Sequence, residues 1–340
     1  MAKYDFPKVE LHLHLDGSML PETAWELAQE KGIAMPADNL EEFRKFIVVT
    51  ANCRSVNEYL KRFELPLQLM QDQASIARVT KELILLLESQ GLAHAEIRFA
   101  PQLHTREKLT QKDAIEAVLA GKKEALEQVK NGMTVSIICC TMSVGPAQVN
   151  EAENLETVRL AAQYLGRGVD AIDLAGAEGI VPLNQFHPIF DLAKELGIPF
   201  TCHAGDSQGP DTVRDALDFG AKRIGHGHHI FEDPALCQRA IQEGVTLEIC
   251  PTSNIQCQTR ADYSVHPAKA LLDMGMRVTI NTDNMVLSDI HLDHEYDCCL
   301  EQMGFTREDL IQMNLYAAEA SFLPETEKTA LIAKIRRYLA

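Results

Sequence analysis

Eight short apolar stretches rich in β-branched residues recur along the chain, with helix-like periodicity between them, and that rhythm constrains the fold more than any other feature. They lie near Val9–Leu15, Ala93–Ala100, Val135–Met142, Ala171–Leu174, Pro199–His203, Arg223–His226, Thr246–Cys250 and Val278–Asp283. Most read as continuous hydrophobic runs, the pattern of parallel strands covered by helices. The intervening segments carry helix-end signals. Pro21 precedes Glu22–Lys31 and Gly32 follows it, and Thr110 with Asp113 makes a capping-box pattern before a helix through Val129. Gly220, Gly244 and Gly275 close Asp211–Phe219, Asp233–Glu243 and His266–Met274. Arg307–Ser321 and Glu325–Leu339 are read as two closing helices parted at Pro324. Eight strands alternating with helices predict an α/β chain folded as a (β/α)8 barrel of the TIM type, with a doubly wound open sheet as the alternative.

At 340 residues the chain is longer than such a barrel needs. The surplus lies mainly at 17–79, between the first and second strands, and holds the sole tryptophan, Trp25. We read it as extra helices inserted after the first strand, a lid on one domain spanning 1–340. Lys+Arg total 32 against Asp+Glu 49, a net charge of −17, and no basic run offsets it, so nucleic acid is not an expected partner. No apolar run reaches the ~18 residues that span a bilayer, so a membrane is not expected either. The start, MAKYDFPKVELHLHLDG, lacks the apolar core and cleavage site of a secretory signal. Nine cysteines, with two adjacent pairs and no C-x-x-C, read as buried reduced thiols of a cytoplasmic protein.

The chemistry-bearing residues fall at the ends of the apolar runs, where barrel active sites are built. His12 and His14 are two apart on the first strand, so both imidazoles share one face while Leu11 and Leu13 take the other. His203-Ala-Gly-Asp206 ends the fifth run, Arg223-Ile-Gly-His226-Gly-His228-His229 the sixth, and Asn281-Thr-Asp283-Asn284 the eighth. His203, His226 and Asp283 occupy equivalent positions on their strands and are site candidates; His228 and His229 are read as surface polar residues. Nitrogen and carboxylate ligands without cysteine suit a catalytic Zn²⁺, which would lower the pKa of a water towards neutrality. Fe²⁺ or Mn²⁺ suit a similar set. His94-Ala95-Glu96 imitates the H-x-E of another zinc deaminase class but lacks the downstream P-C-x-x-C. Cys202 faces away from its neighbour His203 on a strand and reads as structural.

The strings VELHLHLDGS, AIDLAGAEG, HAGDSQGPDTVRDAL, RIGHGHH, CPTSN and NTDN occur in order. With them, the chain from Phe6 to Leu323 resembles the adenosine deaminase family, zinc-dependent purine aminohydrolases with a (β/α)8 barrel. The resemblance implies one Zn²⁺ per chain, held by His12, His14, His203 and Asp283. It implies that His226 orients the attacking hydroxide, that Asp206 protonates N1 of the purine as hydroxide adds to C6, and that Asp283 assists proton transfer. Substrate contacts are implied for Asp16 at the ribose 5′-hydroxyl, for the Gly176 backbone at N3, for Asn284 at N7 and for His14. The implied reaction converts adenosine and 2′-deoxyadenosine to inosine and deoxyinosine with release of ammonia, so the expected partner is a small-molecule purine nucleoside.

Two positions depart from the family pattern. Most members carry Glu where this chain has Asp206, and the lost methylene withdraws the carboxyl by roughly 1 Å, a misplacement that can cost ~10²-fold unless the backbone compensates. Enclosure is expected to raise that carboxyl's pKa, against the pull of a cation. Many members carry Asp where this chain has Asn284, whose amide can donate to N7 without first binding a proton. Two other readings stand beside the main one: a deaminase of adenine or an N6-modified adenine, and a non-catalytic purine-binding homologue.

Overall fold

The eight apolar runs form eight parallel strands in the computed structural model, which describes residues 3–49, 53 and 56–339. They are β1 (Lys8–His14), β2 (Leu92–Phe99), β3 (Thr134–Ser143), β4 (Val169–Gly176), β5 (His203–Ala204), β6 (Arg223–His226), β7 (Thr246–Ile249) and β8 (Arg277–Ile280). β1 to β4 and β5 to β8 pair in sequence order as two parallel ladders. Both seams between the ladders are bridged. Ile172 of β4 pairs with Phe200 ahead of β5, and Leu13 of β1 pairs with Asp283 beyond β8. At the second seam the His14 N–H donates to the Asp283 carbonyl at 2.8 Å, and the Asp283 N–H to the His12 carbonyl at 2.8 Å. The sheet therefore closes on itself as a (β/α)8 barrel, and the open-sheet alternative is excluded.

Two strands are shorter than the sequence suggests. β5 keeps only the end of Pro199–His203, because Pro199 has no N–H to donate and the approach pairs with β4 through Ile172 alone. β8 stops short of Asp283 because the Asn281 side chain replaces a strand partner, its Oδ1 accepting the Leu11 N–H at 3.0 Å.

Helices fill the crossovers much as the end signals indicate: Gln111–Leu126 with the Thr110–Asp113 capping box formed, Pro210–Asp218, Pro234–Gln242, Ala268–Asp273, Arg307–Ala320 and Glu325–Arg336. Four of these end one residue earlier than expected and two end three earlier, as fraying last turns do. Between β1 and β2 run the additional helices Pro21–Lys31, Leu40–Ile47, Val56–Leu60 and Glu64–Leu69, followed by Gln73–Ser89. Positions 50–52 and 54–55 of the expected insertion lie outside the described residues. All nine cysteines are buried and none is in a disulfide among the described residues, and no described helix is long and apolar enough to cross a membrane.

The barrel interior is more charged than the apolar runs suggest. Arg98 of β2 is fully buried and donates to Asp173 (2.9 Å), Glu248 (2.7 Å) and the Leu11 carbonyl (2.7 Å). Arg223 of β6 donates to Glu248 (2.7 Å) and Glu96 (2.6 Å). Buried ions of this kind persist only while each keeps its partners. Arg98→Met is therefore expected to cost about 3–5 kcal/mol of stability in urea unfolding, because it leaves two buried carboxylates short of a cation. The exposed pair Lys45–Glu41 should contribute no more than about 0.5 kcal/mol. An unchanged midpoint for Arg98→Met would show that the acids do not depend on it.

Candidate active site

A cavity of about 310 Å³ opens at the C-terminal ends of the strands. On its wall stand His14, Asp16, Gly176, His203, Asp206, His226, Asp283 and Asn284, while His12 lies fully buried directly beneath. Tyr59, Phe63, Leu67, Leu103, Met142 and Ile180 make the apolar side. This volume is at the small end of ligand sites and suits one small molecule.

At the cavity floor the ligand atoms of His12, His14 and His203 lie within 4.8 Å of one another, and so do those of His12, His226, Asp283 and Cys250. The Asp283 Oδ1 is 3.6 Å from His12 Nε2 and 3.4 Å from His14 Nε2. His12 Nε2 is buried without a hydrogen-bond partner among the described residues. A buried polar atom left so is costly, and a cation in the cluster would satisfy it. Carboxylates stand behind two of these rings: Glu248 is 2.9 Å from His12 Nδ1 and Asp173 is 2.9 Å from His203 Nδ1. Such pairs orient imidazoles for metal binding. Burial holds His12 and His14 well below the ordinary imidazole range, so their lone pairs stay free for a cation. The donor set fits a zinc ion. Cys250 was not among the candidates; its thiol donates to the Glu248 carbonyl at 3.5 Å.

The backbone makes room for this cluster at some cost. A side chain on Gly225 would place its Cβ 2.9 Å from His12 Cε1 and 3.3 Å from His203 Cα. His226 (φ 60°) and Asp283 (φ 61°) are both left-handed, a conformation that costs non-glycine residues about 1–3 kcal/mol. Such strain collects at functional sites.

Asp206 sits on the loop after β5. Glu178 clamps that loop, accepting the N–H groups of Gly205 (2.6 Å), Asp206 (3.0 Å), Ser207 (2.7 Å) and Gln208 (3.0 Å). The Asp206 Oδ1 accepts from Asn254 Nδ2 at 2.7 Å and Thr259 Oγ1 at 3.3 Å, with His228 Nε2 at 3.5 Å. Burial raises this carboxyl, but the neighbouring imidazoles of His226, His228 and His203 and the His228 hydrogen bond outweigh it. They hold Asp206 well below the usual carboxylate range, opposite to the expected direction. His228 is likewise not a surface residue: it is fully buried, its Nδ1 accepting from Arg260 Nε at 2.8 Å. The turn after β6 folds inward because that guanidinium and the carboxylate both receive the ring. Burial pushes the Asp16 carboxyl up to about 6. Asn284 packs over Gly17, where a Cβ would lie 1.9 Å from its Oδ1.

A sequence profile of adenosine deaminase matches residues 7–338, and the adenosine deaminase of Haemophilus ducreyi is 40% identical over 332 residues, 97% of this chain and 95% of that protein. The chain belongs to the adenosine deaminase family. That makes it a hydrolase acting on the amino group of adenosine. An adenine deaminase from Arthrobacter aurescens shares the fold with a TM-score of 0.88 at 24% identity, covering 98% of this chain and 99% of that one. An amidohydrolase from Burkholderia ambifaria with bound Zn gives 0.86 at 23% identity, covering 98% and 90%. Around this site, several contributors escaped the sequence reading: Asp173, Glu248, Arg98, Glu178, Asn254 and His228. For three of them a signal existed. A charged residue inside a mostly apolar strand, as Arg98 in AEIRF, Asp173 in AIDLA or Glu248 in TLEIC, must have a partner indoors.

Proposed function

We propose that this protein hydrolyses adenosine and 2′-deoxyadenosine to inosine and deoxyinosine with release of ammonia, using one zinc ion per chain. The observation that carries the reading is a buried His12–His14–His203–Asp283 cluster sharing a small cavity with the carboxyl of Asp206. A zinc ion held by those four residues would supply Lewis-acid activation of a water. His226, on the cavity wall, orients the attacking water towards C6. The ionised Asp206 accepts a proton from that water and delivers it to N1, so that electron density moved from C6 ends on a protonated nitrogen. Asp283 and His226 pass the second proton to the amino nitrogen, the ring giving up a proton before it takes the oxygen's. The C6–N bond then breaks with its electron pair, and ammonia leaves as C6 becomes a carbonyl. Asp16 meets the ribose 5′-hydroxyl, the Gly176 backbone N–H meets N3 and Asn284 meets N7. A sugar-side partner such as Asp16 favours a nucleoside over a free base.

The insertion at 17–79 acts as a lid on a single barrel domain; Tyr59, Phe63 and Leu67 from it already form cavity wall and would exclude water. Nine buried cysteines with no disulfide among the described residues favour a reducing cytoplasmic setting. An ultraviolet time course of the zinc-loaded protein tests the reading directly. Adenosine should be converted to inosine, adenine at least ~10²-fold more slowly because it forgoes the ribose contacts, and a chelator should abolish turnover until zinc is restored. Turnover of adenine or N6-methyladenosine without adenosine would overturn it.

A further inference from the structure

Asn254 lies in the short helix Pro251–Gln256 after β7, fully buried and off the cavity wall. Its surroundings determine which way its amide points. The Ala268 backbone N–H can only donate, and it lies 3.2 Å from His266 Nδ1, so Nδ1 accepts and the ring proton of neutral His266 sits on Nε2. That Nε2 is 3.1 Å from Asn254 Oδ1 and donates to it. The amide nitrogen must then face the other way, where it finds the Asp206 Oδ1 at 2.7 Å and His226 Nδ1 at 3.1 Å. An amide nitrogen only donates, so His226 accepts at Nδ1 and carries its own proton on Nε2.

We propose that Asn254 is a positioning residue of the deamination: one amide group, oriented by His266, places the Asp206 carboxylate and sets the His226 proton on Nε2. The inference rests on the function proposed above. With its proton on Nε2, His226 offers an N–H to the oxygen of the attacking water; in the other tautomer it would offer a lone pair. The two protons of a single amide thus hold the acid and the imidazole at a fixed distance from each other. A shorter acid at position 206 makes that tether more consequential, since small displacements at a reacting centre cost large factors in rate.

Two measurements decide it. In the zinc-loaded parent with ¹⁵N-labelled histidine, the His226 signal, assigned by its loss in His226→Gln, should show an unprotonated Nδ1 and a protonated Nε2. Asn254→Ala should lower kcat for adenosine by ~10²-fold with KM within about 3-fold, because the residue touches no substrate, and should mix the His226 tautomers. Asn254→Ser, which keeps one donor, should fall between. A protonated Nδ1 in the parent would overturn the proposal even if Asn254→Ala failed to fold, and so would a kcat within about 3-fold of the parent. Absence of adenosine turnover in the parent would instead count against the function, leaving the His226 signal to judge the hydrogen-bond chain.

Discussion

Asp206→Ala is expected to lower kcat for adenosine by up to about 10⁴-fold, the upper end of what a positioned acid–base group contributes, while zinc stays bound. The amino group of a purine is a poor leaving group while the ring is neutral, so the proton given to N1 governs whether water adds at all. Asp206 stands on the cavity wall outside the two clusters of possible metal ligands. Removing it should therefore leave the floor of the site intact. Kinetics paired with metal analysis reads both halves, and a variant as active as the parent would show that another group protonates N1. Asp206→Glu is the informative companion. If the longer acid sustains turnover at the parent's level or above, the backbone tolerates either length; a large loss would show that Asn254, Thr259 and Glu178 have fitted the loop to aspartate.

Asp283→Ala should do damage of a different kind, with metal affinity falling at least ~10²-fold and turnover falling with it. Asp283 Oδ1 lies among the imidazoles, and its Oδ2 accepts from Ser253 Oγ at 2.6 Å, so the carboxylate is held in place before any ion arrives. Alanine also tolerates the left-handed backbone poorly, at about 1–2 kcal/mol. Asp283→Asn keeps the shape and the tolerance for positive φ, and separates loss of charge from loss of fold. Dialysis against a chelating buffer followed by metal analysis makes the comparison. Zinc retained at the parent's level with turnover abolished would make Asp283 a proton carrier and not a ligand.

The barrel was legible because it depends on local pattern. Eight apolar runs and the glycines or caps between them specify strands and helices residue by residue, and two histidines at i and i+2 must share a face. Strand ends were less legible. β8 stops where the Asn281 side chain stands in for backbone, and nothing in the string VTIN or NTDN announces that exchange before the neighbouring strand is known. The layer behind the site was hidden for the same reason. His228 reads as one more polar residue in a glycine-rich turn until Arg260, 32 residues later, is brought against it. The state of Asp206 likewise depends on Asn254, Thr259 and His228, which meet it only in the folded barrel. His12 and His14, by contrast, lie two apart on the first strand and their common face followed from spacing alone, whereas Asp16 was reached through the family resemblance.

The seam between β1 and the end of β8 has a consequence for how the protein matures. His12 and His14 are synthesised long before Asp283, which bridges Leu13 from beyond the last strand. The cluster is thus completed by the longest-range contact in the sheet, whose loop-closure entropy makes it slow to form. A chain not yet made as far as Asp283 presents both histidines without that carboxylate, so completion of the cluster belongs to a late stage of folding. Ring closure and ion capture should then support each other: an ion bound at that seam would tie the first strand to the last and slow the barrel's reopening.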